Sequence, residues 1–174
     1  EKDLNRLGVV NQTTMLATET QAITDRIRAA LEARYGLENI REHLADTRDT
    51  LCYATNDNQS AVNGMLDAPA DLTIVIGGYN SSNTSHLVEL CEEKLPTYFI
   101  KSEEKLLSKE TILHYNFHNN TESVTQIYLP AQEPVIILMT SGASCPDAVV
   151  EEVIKKLAGF YPASRSIDEI VALF

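Results

Sequence analysis

Short apolar runs alternate along this chain with longer segments of helical periodicity, and most of the runs give way to a loop of small hydroxyl and amide residues. Leu72-Thr73-Ile74-Val75-Ile76 and Val135-Ile136-Ile137-Leu138-Met139 have the composition of strands buried on both faces. Thr97 to Ile100 predicts another strand, Leu7 to Val10 a strand close to the start, and Asn39 to Leu51 a weak one. Between them, Ile23, Ile27, Ala30 and Leu31 stand at i, i+4, i+7 and i+8, which predicts an amphipathic helix from Thr18 to Arg34. Thr18 with Gln21 forms a capping box for it, and Gly36 suits its end.

Ala61, Val62, Met65 and Leu66 define a second helical stripe, closed by Asp67-Ala68-Pro69. Leu87, Leu90 and Cys91 mark a third, and Val149, Val150, Val153, Ile154 and Leu157 a fourth. Ser166 and Glu169 cap a short terminal helix. Residues 102–134 break the rhythm: a polar turn around Asn116 to Thr121 separates two apolar stretches, and the segment reads as a surface excursion. Strands alternating with helices specify an α/β fold, a parallel sheet with helices on both faces.

In such sheets the loops after the strand C-termini share one edge, where ligands bind. Four loops qualify: Val10 to Met15, Leu51 to Asn56, Gly77 to His86, and Thr140 to Asp147. None contains Lys or Arg, yet Thr55, Ser81, Ser82, Asn83 and Ser144 can donate hydrogen bonds, and each loop precedes a helix start. Helix capping is the ordinary use of these residue types. The run Asn80 to Ser85 exceeds that use, because one helix needs only one cap.

Charge narrows the function classes further. With 14 basic and 25 acidic side chains the formal charge is -11, which argues against a broad nucleic-acid or anionic-membrane surface. No apolar stretch reaches the roughly 18 residues of a membrane span. A length of 174 residues suits one compact domain, or one domain with part of a neighbour. The chain opens at Glu1 with a strand-like run almost at once, so it is expected to be a piece of a longer polypeptide. Cys52, Cys91 and Cys145 form no CxxC pair and no disulfide framework. Cys52, at the mouth of a polar loop, is the candidate nucleophile or metal ligand; Cys91 lies on an apolar helix face and Cys145 beside a helix start. His86 could face the loop edge from the first turn of its helix, whereas His43, His114 and His118 show no ligand spacing.

Asn11-Gln12-Thr13-Thr14, Cys52-Tyr53-Ala54-Thr55, Asn80-Ser81-Ser82-Asn83 and Gly142-Ala143-Ser144-Cys145-Pro146-Asp147, taken in order, resemble the 4-hydroxy-3-methylbut-2-enyl diphosphate reductase family. The resemblance runs from Leu7 to about Leu157. It implies an enzyme of similar α/β units arranged in a trefoil around a 4Fe-4S cluster, each unit contributing one cysteine, with Cys52 matching the last of these ligands. The implied reaction is reductive dehydroxylation, in which two electrons and two protons convert the substrate to isopentenyl or dimethylallyl diphosphate and water. By the same resemblance Thr13 lies near the substrate hydroxyl, Ser81, Ser82, Asn83 and Ser144 hold the diphosphate, and Thr55 lines the substrate pocket on the cluster side.

The family's other two cluster cysteines, its glutamate proton donor and its diphosphate-contacting histidines belong to an upstream region that this chain lacks. Residues 1–48 are accordingly expected to end a preceding unit and residues 49–174 to form a nearly complete one. The chain alone is expected to be inactive. The implied electron donor is a ferredoxin or flavodoxin, and the implied compartment the bacterial cytoplasm or the plastid stroma. A phosphosugar- or phosphate-binding module without catalysis, which has no need of Cys52, is the competing reading; a purely structural interaction domain is a third, favoured if Ser82→Ala and Asn83→Ala leave diphosphate affinity unchanged.

Overall fold

The computed structural model describes residues 5–47 and 52–162, together with Arg165, Glu169 and Ala172. The chain divides into two compact units, residues 1–60 and 61–174. The boundary expected at residues 48 and 49 lies outside the described residues, as does most of the expected terminal helix with its cap Ser166. No helix among the described residues is long and apolar enough to cross a membrane.

In the first unit, helix α1 (Ala17–Tyr35) is followed by a 3-10 turn, Leu37–Asn39, and the short helix α2 (Ile40–His43). Gly36 ends α1 at φ 84°, a left-handed value that favours glycine, and its N–H bonds to the Glu32 carbonyl. The expected capping box is absent. Leu16 is the N-cap and offers no side-chain bond, while Gln21 Nε2 donates instead to Asp25 Oδ1 at 2.8 Å. Ile40 and Leu44, four residues apart and both buried, fold 40–43 as a helix where a weak strand was expected. They close a small core with Leu31. Leu7 makes one parallel bridge with Leu44 in place of the expected first strand.

Helix α3 (Tyr53–Met65) begins eight residues before its apolar stripe. Its first turns carry exposed residues, Tyr53 being 88 % accessible, so hydrophobic periodicity has nothing to register there.

The second unit is built on three parallel strands in the order β2-β1-β5. Strand β1 (Leu72–Ile76) is buried at every position, and β2 (Thr97–Ile100) matches its expected bounds. Strand β5 (Ile137–Ser141) starts two residues later than its apolar run. The reason lies in Asp71, whose Oδ2 accepts the Ile136 N–H at 2.7 Å and takes that donor out of the ladder. Leu72 then pairs with Ile137, and Ile76 with Ser141.

Side chains alternate across the sheet. Leu72, Ile74 and Ile76 form one core face with Ile100 of β2 and with Val153 and Leu157 of helix α5 (Asp147–Gly159). Helix α4 (Ser82–Glu92) takes the other face, where the buried Cys91 meets Thr73. Helices therefore flank the sheet on both sides. Between β2 and β5, residues 111–126 form an antiparallel hairpin of β3 (Thr111–Asn116) and β4 (Thr121–Gln126), with Asn120 at φ 56° in the turn. The expected polar turn is this hairpin's tip. Rings join it to the edge strand: His114 meets Tyr98 edge-on at 5.1 Å and Tyr115 meets Phe99 at 5.8 Å.

Ile74 is fully buried in the central strand. Ile74→Ala should cost about 2–5 kcal/mol in urea unfolding, whereas Val124→Thr on the exposed face of β4 should change stability by less than about 0.5 kcal/mol.

Candidate functional site

In the second unit, two of the polar loops leave the ends of neighbouring strands. Gly77 follows β1 and Gly142 follows β5, and the Gly142 N–H bonds to the Ile76 carbonyl at 3.0 Å. Thr84, fully buried in the first turn of α4, fills the gap between them. A methyl group added to Gly77 would stand 2.8 Å from its Oγ1, and one added to Gly142 would overlap the same oxygen. Only hydrogen fits at either position.

Ser81 caps α4, its Oγ accepting from the Thr84 N–H at 3.3 Å. That bond uses an acceptor lone pair and leaves the hydroxyl proton to be donated elsewhere. Ser82 is exposed at the next position. Asn83 is 6 % accessible, yet among the described residues neither its Oδ1 nor its Nδ2 has a hydrogen-bond partner; the same is true of Thr84 Oγ1. A buried amide without partners costs about 1–3 kcal/mol per group, so this one suits a polar ligand that completes its bonds. Ser144 is exposed in the β5 loop, where the Cys145 N–H closes a turn onto the Gly142 carbonyl. The second unit thus brings Ser81, Ser82 and Asn83 together at a helix start whose dipole favours an anion.

In the first unit, Cys52 is exposed and directly precedes α3. Its Sγ lies 2.9 Å from Thr55 Oγ1 and accepts the Thr55 N–H at 3.3 Å. These bonds, the Thr55 hydroxyl foremost, hold its thiol below the ordinary value of 9.0 and favour the thiolate. Thr55 itself is buried. The Cys52 N–H reaches the Thr13 carbonyl at 3.4 Å, which sets the Thr13 loop beside the cysteine.

Gln59 secures the same loop, donating from Nε2 to the Met15 carbonyl at 2.9 Å and accepting the Ala17 N–H at Oε1 at 3.1 Å. Sequence reasoning missed Gln59, Thr84 and Tyr79. A glutamine inside a helix carries no pattern, and the role of Thr84 depends on two glycines from separate strands.

The other cysteines differ in kind. Cys91 is buried, and desolvation pushes its thiol up to about 12. Cys145, half-buried against the α5 core, is also raised, first by burial and then by Asp147. His86 pairs with Glu89 at 2.7 Å on its own helix. Among the described residues no three His, Cys, Asp or Glu side chains cluster to hold a metal ion. The exposed, thiolate-favouring Cys52 does fit the role of a single soft ligand to iron.

The family model described as LytB protein matches residues 1–158. The chain belongs to the LytB family. It is 42 % identical over 158 residues to the 4-hydroxy-3-methylbut-2-enyl diphosphate reductase of Gloeobacter violaceus, covering 90 % of this chain and 37 % of that protein. The enzyme of the same name from a Cyanothece strain is 39 % identical over 168 residues, covering 96 % of this chain and 41 % of the relative. The chain thus spans about two fifths of the length of these LytB relatives. Among solved structures, the E-1-hydroxy-2-methyl-but-2-enyl-4-diphosphate reductase from Plasmodium falciparum shares the fold at a TM-score of 0.51. It is 22 % identical, with 86 % of this chain and 38 % of that one covered.

Two outcomes test this geometry. Gly142→Ala should force Thr84 out of its gap and cost about 1–3 kcal/mol in thermal or urea unfolding. Thr55→Val removes the largest influence favouring the Cys52 thiolate. Its alkylation by iodoacetamide near neutral pH should slow, and the pH midpoint of that reaction should rise toward 9.0, because less thiolate is present at any given pH.

Proposed function

We propose that this chain forms part of an iron-sulfur 4-hydroxy-3-methylbut-2-enyl diphosphate reductase, supplying one cluster ligand and the diphosphate-holding turn. The observation that carries the reading is the pairing of two features at the positions to which the motif resemblance assigns these roles. Cys52 is an exposed thiol held toward its thiolate, and Asn83 is a buried amide without a hydrogen-bond partner among the described residues. A phosphate-binding module would use the second and has no need of the first.

Cys52 gives its sulfur as one ligand of the cluster. Thr55 acts through it, since its hydroxyl and N–H both engage the sulfur and stabilise the negative charge that ligation requires. A 4Fe-4S cluster, when bound, would pass on the two electrons of the reduction one at a time. Thr13, exposed in a loop bound to the Cys52 N–H and held by Gln59, carries the hydroxyl that relays a proton toward the departing substrate oxygen. With two protons and two electrons the C–O bond breaks, the oxygen leaves as water, and the allyl carbon skeleton gains one hydrogen.

Asn83, Ser81, Ser82 and Ser144 hold the diphosphate. Several hydrogen bonds to a charged partner at about 1.5–3 kcal/mol each can do so without Lys or Arg. The remaining cluster ligands and the proton donor come from other parts of the protein. Electrons arrive from a one-electron carrier of the ferredoxin or flavodoxin type, in the bacterial cytoplasm or plastid stroma.

Cys52→Ser in the intact protein, reconstituted anaerobically, should lose the electron paramagnetic resonance signal of a four-iron cluster and lose turnover. Ser82→Ala and Asn83→Ala should keep the cluster and each weaken diphosphate binding by about ten-fold or more. A cluster absent from both the parent protein and Cys52→Ser, with diphosphate binding intact, would overturn the reductase reading in favour of the binding module.

A further inference from the structure

Two consecutive glycines leave the loop after β1 with no side chains to hold it, and Gly78 has nothing within 4 Å of the place a Cβ would occupy. Glycine pairs confer backbone freedom, which a binding loop must give up. The next residue is Tyr79. It occupies the first corner of a turn closed by the Ser81 N–H on the Gly78 carbonyl at 3.0 Å, so the path of its backbone sets where the cap residue Ser81 lies.

The half-buried Tyr79 side chain is held by two rings and a hydrogen bond. It stacks on Tyr115 of β3 at 4.2 Å and 7° and meets Phe99 of β2 edge-on at 5.1 Å and 80°. Its hydroxyl donates to Glu122 Oε1 of β4 at 3.0 Å, and that same oxygen accepts from Lys105 Nζ at 2.5 Å. Lys101 Nζ stands 6.0 Å from the ring centre. Burial and the Glu122 carboxylate push the phenol well above its ordinary range, so it remains a protonated donor. Lys105, the first cause of the lowered Glu122 carboxyl, keeps the acceptor ionised.

We propose that Tyr79, clamped between the β3–β4 hairpin and β2, is a positioning residue that presets the Ser81–Asn83 turn for a diphosphate ligand. The hairpin is then a brace for the binding loop. This inference rests on the reading of that turn as the diphosphate site. Tyr79 acts through the turn and need not touch the ligand. Glu122 on the hairpin belongs to the same device, since it accepts the Tyr79 hydroxyl of the loop and is ion-paired with Lys105.

Inorganic pyrophosphate is the probe, titrated calorimetrically into the intact protein, with steady-state kinetics alongside. Tyr79→Ala should weaken pyrophosphate by about ten-fold or more, and Tyr79→Phe, which keeps both ring contacts, by only about three-fold. Glu122→Ala, which removes the acceptor, should resemble Tyr79→Phe, and the double variant should be no weaker than either alone, because both remove the same hydrogen bond. In turnover, KM should rise more than kcat falls.

The proposal is overturned if Tyr79→Ala lowers the melting temperature but leaves pyrophosphate affinity within about two-fold of the parent, while Ser82→Ala and Asn83→Ala weaken it. Unchanged affinity in Ser82→Ala and Asn83→Ala would instead remove the diphosphate reading itself, and this inference with it.

Discussion

Strand β1 surrenders every one of its side chains to the interior, and the second unit is organised around that concession. A strand buried on both faces needs a helix against each, and a neighbour on each edge to take up its backbone groups. Helices α5 and α4 answer the first need, β2 and β5 the second. Because all three strands are parallel, β1 and β5 end at the same edge, and their loops emerge side by side over the start of α4. The polar cluster at Ser81–Asn83 thus inherits its position from the most apolar part of the unit.

What could be read in the sequence follows from how much of each element is buried. Strands β1 and β2 were legible to the residue because burial writes itself as apolar composition. The start of α3 was not, since its exposed first turns answer to the Cys52 cap and to the solvent. The onset of β5 was decided by one carboxylate, Asp71, that no periodicity could reveal. In the segment from Asn39 onward, two buried residues four apart outweighed a composition poor in apolar side chains, and a helix formed. The hairpin was visible only as a polar turn, because its strands show little of the alternation that one-sided burial produces.

The site divides in the same way. Neutral donors crowded at a helix start are a chemical signal, so Ser81, Ser82 and Asn83 stand out as candidates from residue types alone. The residues that support each loop are a matter of geometry. Tyr79 is an unremarked aromatic until its ring is seen between Tyr115 and Phe99, and Gln59 is one amide among many until its two bonds to the Thr13 loop are traced. A turn proposed to take an anion, in a chain with 25 acidic side chains, needs carboxylates kept away from its donors. Here Glu122 is drawn off by Lys105 and the Tyr79 hydroxyl.

The contact of Thr84 with Gly77 and Gly142 has a consequence for how this chain can change over generations. Residues from the ends of two strands and the start of a helix share one small volume, and each fills what the others leave. A larger side chain at either glycine becomes tolerable only after Thr84 has shrunk, and a shrunken Thr84 leaves a void until one of the glycines has grown. Single steps lead downhill in every direction. The three positions are therefore inherited as one unit, and the turn that carries Asn83 is sheltered from gradual alteration by the packing beneath it.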